Sequence, residues 1–317
     1  MGRRGWLTVA GKALLFLALA LCLTEMVWRI LGYAPKMSDK LYFAQIRRAA
    51  RNDSRAVALV GSSRVRHGLD PVTLSRTVPG RHFLELATDG QSALPGLYDL
   101  ARDPEFRGLV VCEFNPAHWS REITFSRMPD VIAYAHPEVS GEYLEMWLDE
   151  HVRQHFSFFS YNLLNEVPNR LQHKLRKAEE RVDRFVPRPD PGPAVNRNLV
   201  GRWSRVARDQ AKVLGDSAAE HVPQAVQQWI GQIRGRGGDV AFVRMPVDGA
   251  LRSVEEQVFP HGPGLMRDLR ARGLLVVDFA DMPEHFYCPD GSHLEAPYAF
   301  RFSRRTGEEL AAKGFFR

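Results

Sequence analysis

The sequence predicts an α/β domain built on a five-stranded parallel sheet and joined to an N-terminal membrane-spanning helix. Three observations carry that expectation. Five short apolar runs each end at a turn signal, as fully buried strands do. Segments with apolar residues at helical spacing separate them, which implies parallel βαβ units. A long apolar run follows Arg3, Arg4 and Lys12 at the start of the chain.

The chain has 317 residues, enough for one large domain or two small ones. Hydrophobic content of 44% and charged content of 25% are those of a globular protein with a sizeable core. The net charge of +6 is diffuse and nearly all arginine, and no basic block is long enough to read as a nucleic-acid tail. Nucleic acid is therefore not an expected partner. Cys22, Cys112 and Cys288 are too few for a disulfide framework, and none forms a metal-type C-x-x-C pair.

Residues 1–35 read as the anchor. The apolar run Ala13–Leu23 resumes after Thr24 and Glu25 and ends near Leu31, a length that suits one membrane-spanning helix of about 20 residues. No small-x-small cleavage site follows it, and Leu21 is too large to precede a lipidated Cys22, so we read an uncleaved signal anchor rather than a cleaved signal peptide. Arg3, Arg4 and Lys12 stay in the cytoplasm by the positive-inside rule, which puts the globular part in the periplasm or outside the cell.

Residues 36–317 read as the globular domain. Met37–Arg55 is polar and basic, a helix and linker into strand one at Val57–Gly61. Pro71 suits the first turn of a helix. Arg81–Leu86 is strand two, ending at the turn signal Asp89-Gly90, and Gln91–Arg102 is helical. Gly108–Phe114 is strand three, ending at Asn115-Pro116. From about 117 to 236 the rhythm breaks. A long helical stretch is expected over Glu142–Arg184, then a Pro-rich loop over Phe185–Pro193, then helix over Ala218–Arg234. This insertion reads as a cap over the carboxyl edge of the sheet. The aromatics Phe156 to Tyr161 within it read as packed core rather than a lipid-docking face. Asp239–Pro246 is strand four, Met266–Arg272 a helix, Leu274–Phe279 strand five and Glu295–Lys313 a closing helix.

The chemistry-bearing residues sit where strands end. Gly61-Ser62-Ser63 follows strand one, at the sheet edge where ligands of open α/β sheets bind. A serine hydroxyl is a weak nucleophile until a base takes its proton. Asp290 and His293, on a loop opening the last helix, supply one. The carboxylate can hold one ring nitrogen and fix the tautomer, leaving the other to accept the Ser63 proton. Taken singly, Ser63 is equally a helix cap and His293 a loop histidine. Arg64, Arg66 and His67 are open to two readings, contact with an anionic substrate or a solvated helix start. Cys112 and Cys288 read as buried, inert thiols. No metal, nucleotide or other cofactor motif appears.

With these residues in place, the chain from Ala56 onward resembles the SGNH hydrolases, also called the GDSL family. Gly61-Ser62-Ser63 matches the family's nucleophile block, and Asp290 and His293 match its late Asp-x-x-His block. The resemblance implies a flavodoxin-like three-layer α/β/α fold with strand order 2-1-3-4-5. It implies catalysis by Ser63, His293 and Asp290, with an oxyanion hole formed by the N–H groups of Ser63 and Gly90. The family's Gly-x-Asn-Asp block has only Asn115 here, in Glu113-Phe114-Asn115-Pro116, so Asn115 is either a third oxyanion donor or a turn residue with Pro116. An anchor plus Gly-Ser-Ser is also similar to the membrane-anchored subgroup that moves acyl groups on cell-surface polymers, such as the alginate O-acetylation proteins. That implies a membrane-anchored serine esterase or O-acyltransferase acting on an acylated carbohydrate or other ester, with a membrane-bound acyltransferase as partner. The alternative is a catalytically inactive module of the same fold that binds glycan or scaffolds the acyltransferase.

Overall fold

A computed structural model of the chain describes residues 3–35, 37–51, 53–118, 128–157, 195–214 and 222–317. The Pro-rich loop and the aromatics Phe158, Phe159 and Tyr161 lie outside them. Two compact units are distinguished, Met1–Tyr42 with Pro137–Arg181, and Phe43–His136 with Val182–Arg317.

The first unit holds α1 (Arg3–Ile30) and α7 (Ser140–His151). Within α1, Val9–Ile30 is long and apolar enough to cross a membrane. Glu25, an expense for a span, is satisfied by Arg29 one turn on, at 2.7 Å, and by the Ser157 N–H at 2.7 Å. The helix expected to run on from Glu142 is broken. It ends at Val152 (φ −125°, ψ −65°), a short 3-10 turn follows at Arg153–His155, and Phe156 is extended. Ser157 explains the break, because its N–H binds Glu25 and its hydroxyl binds the Tyr33 carbonyl at 3.0 Å.

The second unit is an α/β body. Its strands are β1 (Ala56–Val60), β2 (His82–Glu85), β3 (Leu109–Glu113), β4 (Asp239–Arg244) and β5 (Leu275–Asp278). They form one all-parallel sheet in the order β2-β1-β3-β4-β5. Every residue of β1 and β3 is buried, so both faces of the sheet's centre are covered, which is why these strands read as unbroken apolar runs rather than alternating ones. Val57, Leu59, Val111, Val243 and Val277 point into one core with Leu74, Phe302 and Leu310. Full burial of each such side chain contributes about 1.5–3 kcal/mol.

The connecting helices start where the local chemistry caps them. α3 (Ser63–Gly68) is capped by Ser62. α4 (Pro71–Thr77) has Pro71 in its first turn and an Asp70 carboxylate accepting the N–H groups of Val72 and Thr73. α2 (Asp39–Ala50) is tied to α5 (Leu94–Arg102) and the residue after it by the buried Arg47, which pairs with Asp99 at 2.5 Å and Asp103 at 2.7 Å. α9 (Val222–Arg234), α11 (Gly262–Ala271) and α12 (Ala296–Ala312) complete the expected helical segments. Three further helices went unread in the sequence, the first of them α6 (Met128–Ala135). α8 (Arg197–Leu214) opens at Asn196, whose Oδ1 accepts the Asn198 and Leu199 N–H groups. α10 (Gly249–Val258) opens at Asp248, whose carboxylate accepts the Ala250 N–H. Asp248-Gly249 looks like a turn signal by itself, and the same residue types serve as a helix start.

Candidate active site

The site lies at the carboxyl edge of the sheet, where β1 hands the chain to α3. The Ser62 N–H donates to Glu113 at the end of β3, at 2.5 Å, and the Ser62 hydroxyl accepts the Arg64 N–H at 3.2 Å. Ser62 thus belongs to the turn. Ser63, half-buried at the first position of α3, keeps its hydroxyl for a partner outside the turn. Its own N–H is among the first-turn groups that have no acceptor within a helix. Gly61 leaves no room for a side chain, since a Cβ there would sit 2.4 Å from Val65 Cγ2 and 2.9 Å from Glu113 Oε2.

The loop before α12 brings the partners. Gly291 adopts φ +88°, and a Cβ on it would lie 2.7 Å from Val200. The Asp290 Oδ1 accepts the N–H groups of Ser292 at 3.0 Å and His293 at 2.8 Å. Its Oδ2 holds His293 Nδ1 at 2.8 Å, and His293 Nε2 stands 2.8 Å from Ser63 Oγ. Asp290 and His293 are 3% and 6% exposed. Burial by itself would raise the Asp290 carboxyl, yet the hydrogen bond and charge of His293 and the two loop N–H groups hold it well below the ordinary carboxylate range. An ionised Asp290 is the form that keeps a proton on Nδ1 and the lone pair of Nε2 facing the serine.

The remaining expected residues are less directly joined. Gly90, at φ +71°, is exposed on the loop after β2. That loop is tied to the nucleophile turn by the Thr88 N–H donating to the Gly61 carbonyl at 2.9 Å. Asn115 is buried, and its Oδ1 accepts the Ala117 N–H at 3.1 Å. It is therefore a turn residue, and that same bond leaves its Nδ2 as the donor end of the amide. The two readings of Asn115 are compatible. Cys112 and Cys288 are buried, and burial pushes both thiols up, away from a reactive thiolate.

Arg64 joins two distant parts of the chain. It donates to Glu255 on α10 at 2.5 Å and, through Nε, to the Ser292 hydroxyl at 3.1 Å. One side chain next to Ser63 thus grips the loop that carries Asp290 and His293. Burial disfavours its charge, but Glu255 and Glu113 more than offset that and raise the guanidinium. Arg66 and His67 face Asp89, at 3.1 and 3.6 Å. Burial would raise the Asp89 carboxyl, but His67 and Arg66 hold it low. The His67 ring meets His293 edge-on, with centroids 5.5 Å apart.

Four of these residues were not anticipated. Glu113 is fully buried behind the turn, and burial raises its carboxyl despite Arg64 and the Ser62 N–H. His118 is pushed down to about 3 by burial and then by the charge of Arg64, so it stays neutral at ordinary pH. Glu255 gave no sequence signal. Trp203 on α8, on a distant stretch of chain, lies edge-on to His293 with ring centroids 5.6 Å apart. Its signal was the helical spacing of Val200, Trp203 and Ala207 inside the insertion. Just before α8, the Asn196 N–H donates to the Pro289 carbonyl at 2.8 Å, which ties this helix to the loop that carries Asp290 and His293.

Neither the scan of protein-family models nor the search of curated proteins returned a match to this chain. The chemistry therefore rests on the geometry. A serine, an imidazole and an ionised carboxylate are aligned in series.

Proposed function

We propose that this chain is a membrane-anchored serine esterase or O-acyltransferase acting on acyl esters of cell-envelope or extracellular glycans. The observation that carries the reading is the unbroken hydrogen-bond series Asp290–His293–Ser63, at 2.8 Å for each step. The body is read as a flavodoxin-like three-layer α/β/α domain of the SGNH type, on the strength of its strand order and of Gly61-Ser62-Ser63 and Asp290-x-x-His293. The α1 span holds it at the cell membrane, with Arg3, Arg4 and Lys12 inside and the catalytic body in the periplasm or outside the cell.

In the reaction, Ser63 Oγ attacks the ester carbonyl while His293 Nε2 takes its proton. The Ser63 and Gly90 N–H groups and the Asn115 amide stabilise the oxyanion, and losing one such donor typically costs about 2.7–4 kcal/mol of transition-state stabilisation. Collapse expels the alcohol, which takes the proton from His293, and leaves an acyl ester on Ser63. Water or a carbohydrate hydroxyl then gives its proton to His293, attacks the acyl-enzyme and releases Ser63. A membrane-bound acyltransferase partner would supply the acyl group where transfer is the outcome.

The test is labelling by a serine-directed fluorophosphonate, paired with turnover of a small acetyl ester. Wild type and Ser62→Ala should label, and Ser63→Ala should neither label nor turn over. Wild-type protein that stays unlabelled and inactive with its membrane fraction present would establish the non-catalytic, glycan-binding module instead.

A further inference from the structure

The unit containing α1 and α7 carries an apolar stripe that the catalytic reading leaves unused. Tyr143, Leu144 and Trp147 of α7 are 55%, 57% and 51% exposed. Positions 143, 144 and 147 share one face of a helix. Val139, just before the helix, is equally open. Two aromatics and two aliphatics in one patch of water-facing surface mark a contact site rather than scattered surface residues.

The rest of the unit indicates what covers this face. His155 accepts a hydrogen bond from Arg29 at 3.3 Å, and Ser157 binds both Glu25 and the Tyr33 carbonyl. Val152 and Phe156 line one apolar groove with Ala18, Leu21, Cys22 and Met26. The carboxyl end of α7 is thereby held against the last turns of α1. The apolar stretch Val9–Ile30 has 22 residues. At 1.5 Å per residue that is about 33 Å, close to the hydrocarbon thickness of a bilayer. Its last turns are then at the membrane–water boundary, and Trp147 is only five residues, roughly 8 Å of helix, from Val152. Tryptophan and tyrosine are the side chains enriched at that depth, because each has an apolar body and a polar tip.

We infer that α7 is an interfacial helix. Its Tyr143–Leu144–Trp147 face inserts among the headgroups of a lipid bilayer, as a second attachment beside α1. The inference rests on the reading of α1 as a membrane span, and not on the catalytic reading. Residues 137–157 carry Glu138, Glu142, Glu145, Asp149 and Glu150 against the single Arg153. Apolar and aromatic insertion therefore drives the contact, and neutral lipid is preferred over anionic lipid.

The experiment uses the full chain with Cys22→Ser, so that a new cysteine is the one accessible thiol beside the buried Cys112 and Cys288. Leu144→Cys, and separately Tyr143→Cys, are labelled with an environment-sensitive nitrobenzoxadiazole fluorophore. Val72→Cys, on the exposed surface of the other unit, is the control. Each protein is reconstituted in phosphatidylcholine vesicles with and without doxyl-labelled lipid, and flotation is scored in the same samples. The expected result is blue-shifted emission at 143 and 144, quenched by doxyl lipid roughly twofold or more over the label at 72, and weaker in vesicles containing phosphatidylglycerol. Labels at 143 and 144 as unquenched as the one at 72, on protein that floats, would overturn the inference while leaving the anchor intact. Protein that does not float overturns the anchor and the interfacial helix together. A shift that grows with protein concentration and ignores doxyl lipid assigns the face to a second copy of the chain and also overturns the inference.

Discussion

Asp290 and Arg64 show how single residues hold this site. The Asp290 carboxyl is lower in the folded protein than its ordinary value of 3.8. A depressed acid stabilises the fold above its unfolded value and loses that contribution as pH falls toward its folded one. Urea denaturation should therefore find wild type more stable than Asp290→Asn at neutral pH, with the gap shrinking below about pH 4. A gap that is constant with pH would disconnect Asp290 from His293. Asp290→Asn should also slow ester turnover less than Ser63→Ala does, because it misorients the imidazole without removing the base. Arg64 and Glu255 are a nearly buried pair, with side chains 14% and 9% exposed. Arg64→Met strands Glu255 without a counter-charge and should cost about 3–5 kcal/mol in denaturation experiments. Arg64→Met with Glu255→Met should recover most of that, since the stranded charge is gone. Equal losses in the single and double variants would mean that Arg64 acts through packing alone.

At the scale of elements, the nucleophile turn is specified by crowding more than by hydrogen bonds. A methyl group on Gly61 meets Val65, whose branched Cβ has little rotamer freedom in a helix, and the buried Glu113. On Gly68, at the far end of the same helix, it meets the terminal methyl of Met245, which can swing aside, and makes an ordinary contact with Leu294 Cδ1 at 3.4 Å. Gly61→Ala should thus lower the thermal midpoint sharply and weaken fluorophosphonate labelling. Gly68→Ala should stay within about 1 kcal/mol of wild type and label normally. The reverse ranking would mean that the turn relaxes easily and that β1 and α3 are not rigidly joined. Trp203 belongs to this scale too. α8 brings it against His293 from a part of the chain far from both Ser63 and the Asp290–His293 loop, so this contact is a property of helix packing.

For the whole molecule, the order β2-β1-β3-β4-β5 decides what can meet. β1 and β3 are adjacent, which puts Glu113 behind Ser62, and the loop after β5 returns to the same edge with Asp290 and His293. Parallel strands all end on one side, so residues separated by 230 positions, Ser63 and His293, come within hydrogen-bond reach. The proposed topology makes a separate demand. A reporter enzyme that works only outside the cytoplasm, fused after Arg317, should be active, and a reporter that works only in the cytoplasm should be silent. The opposite pattern would reverse the orientation of the anchor.

The five strands, an N-terminal helix long and apolar enough to cross a membrane, and the pairing of Ser63 with Asp290 and His293 were legible in the amino-acid order. Each depends on local features: an apolar run of strand length, a run of membrane length, or a short block of chemistry beside a turn. The strand boundaries moved by no more than two residues, because Gly61, Asn115 and the polar flanks end the runs locally. The choice of Ser63 over Ser62 came from the resemblance of Gly61-Ser62-Ser63 to a Gly-x-Ser block, and it took the structure to show that Ser62 is the residue that caps α3. What only the tertiary structure decided depends on residues distant in sequence. The Arg64–Glu255–Ser292 grip, the buried Glu113, the neutral His118 and the Trp203 wall have no spacing rule to announce them. The break at Val152 is of the same kind. Local pattern favoured continued helix there, and the hydrogen bonds of Ser157 to Glu25 and Tyr33, more than a hundred residues away, outweighed it.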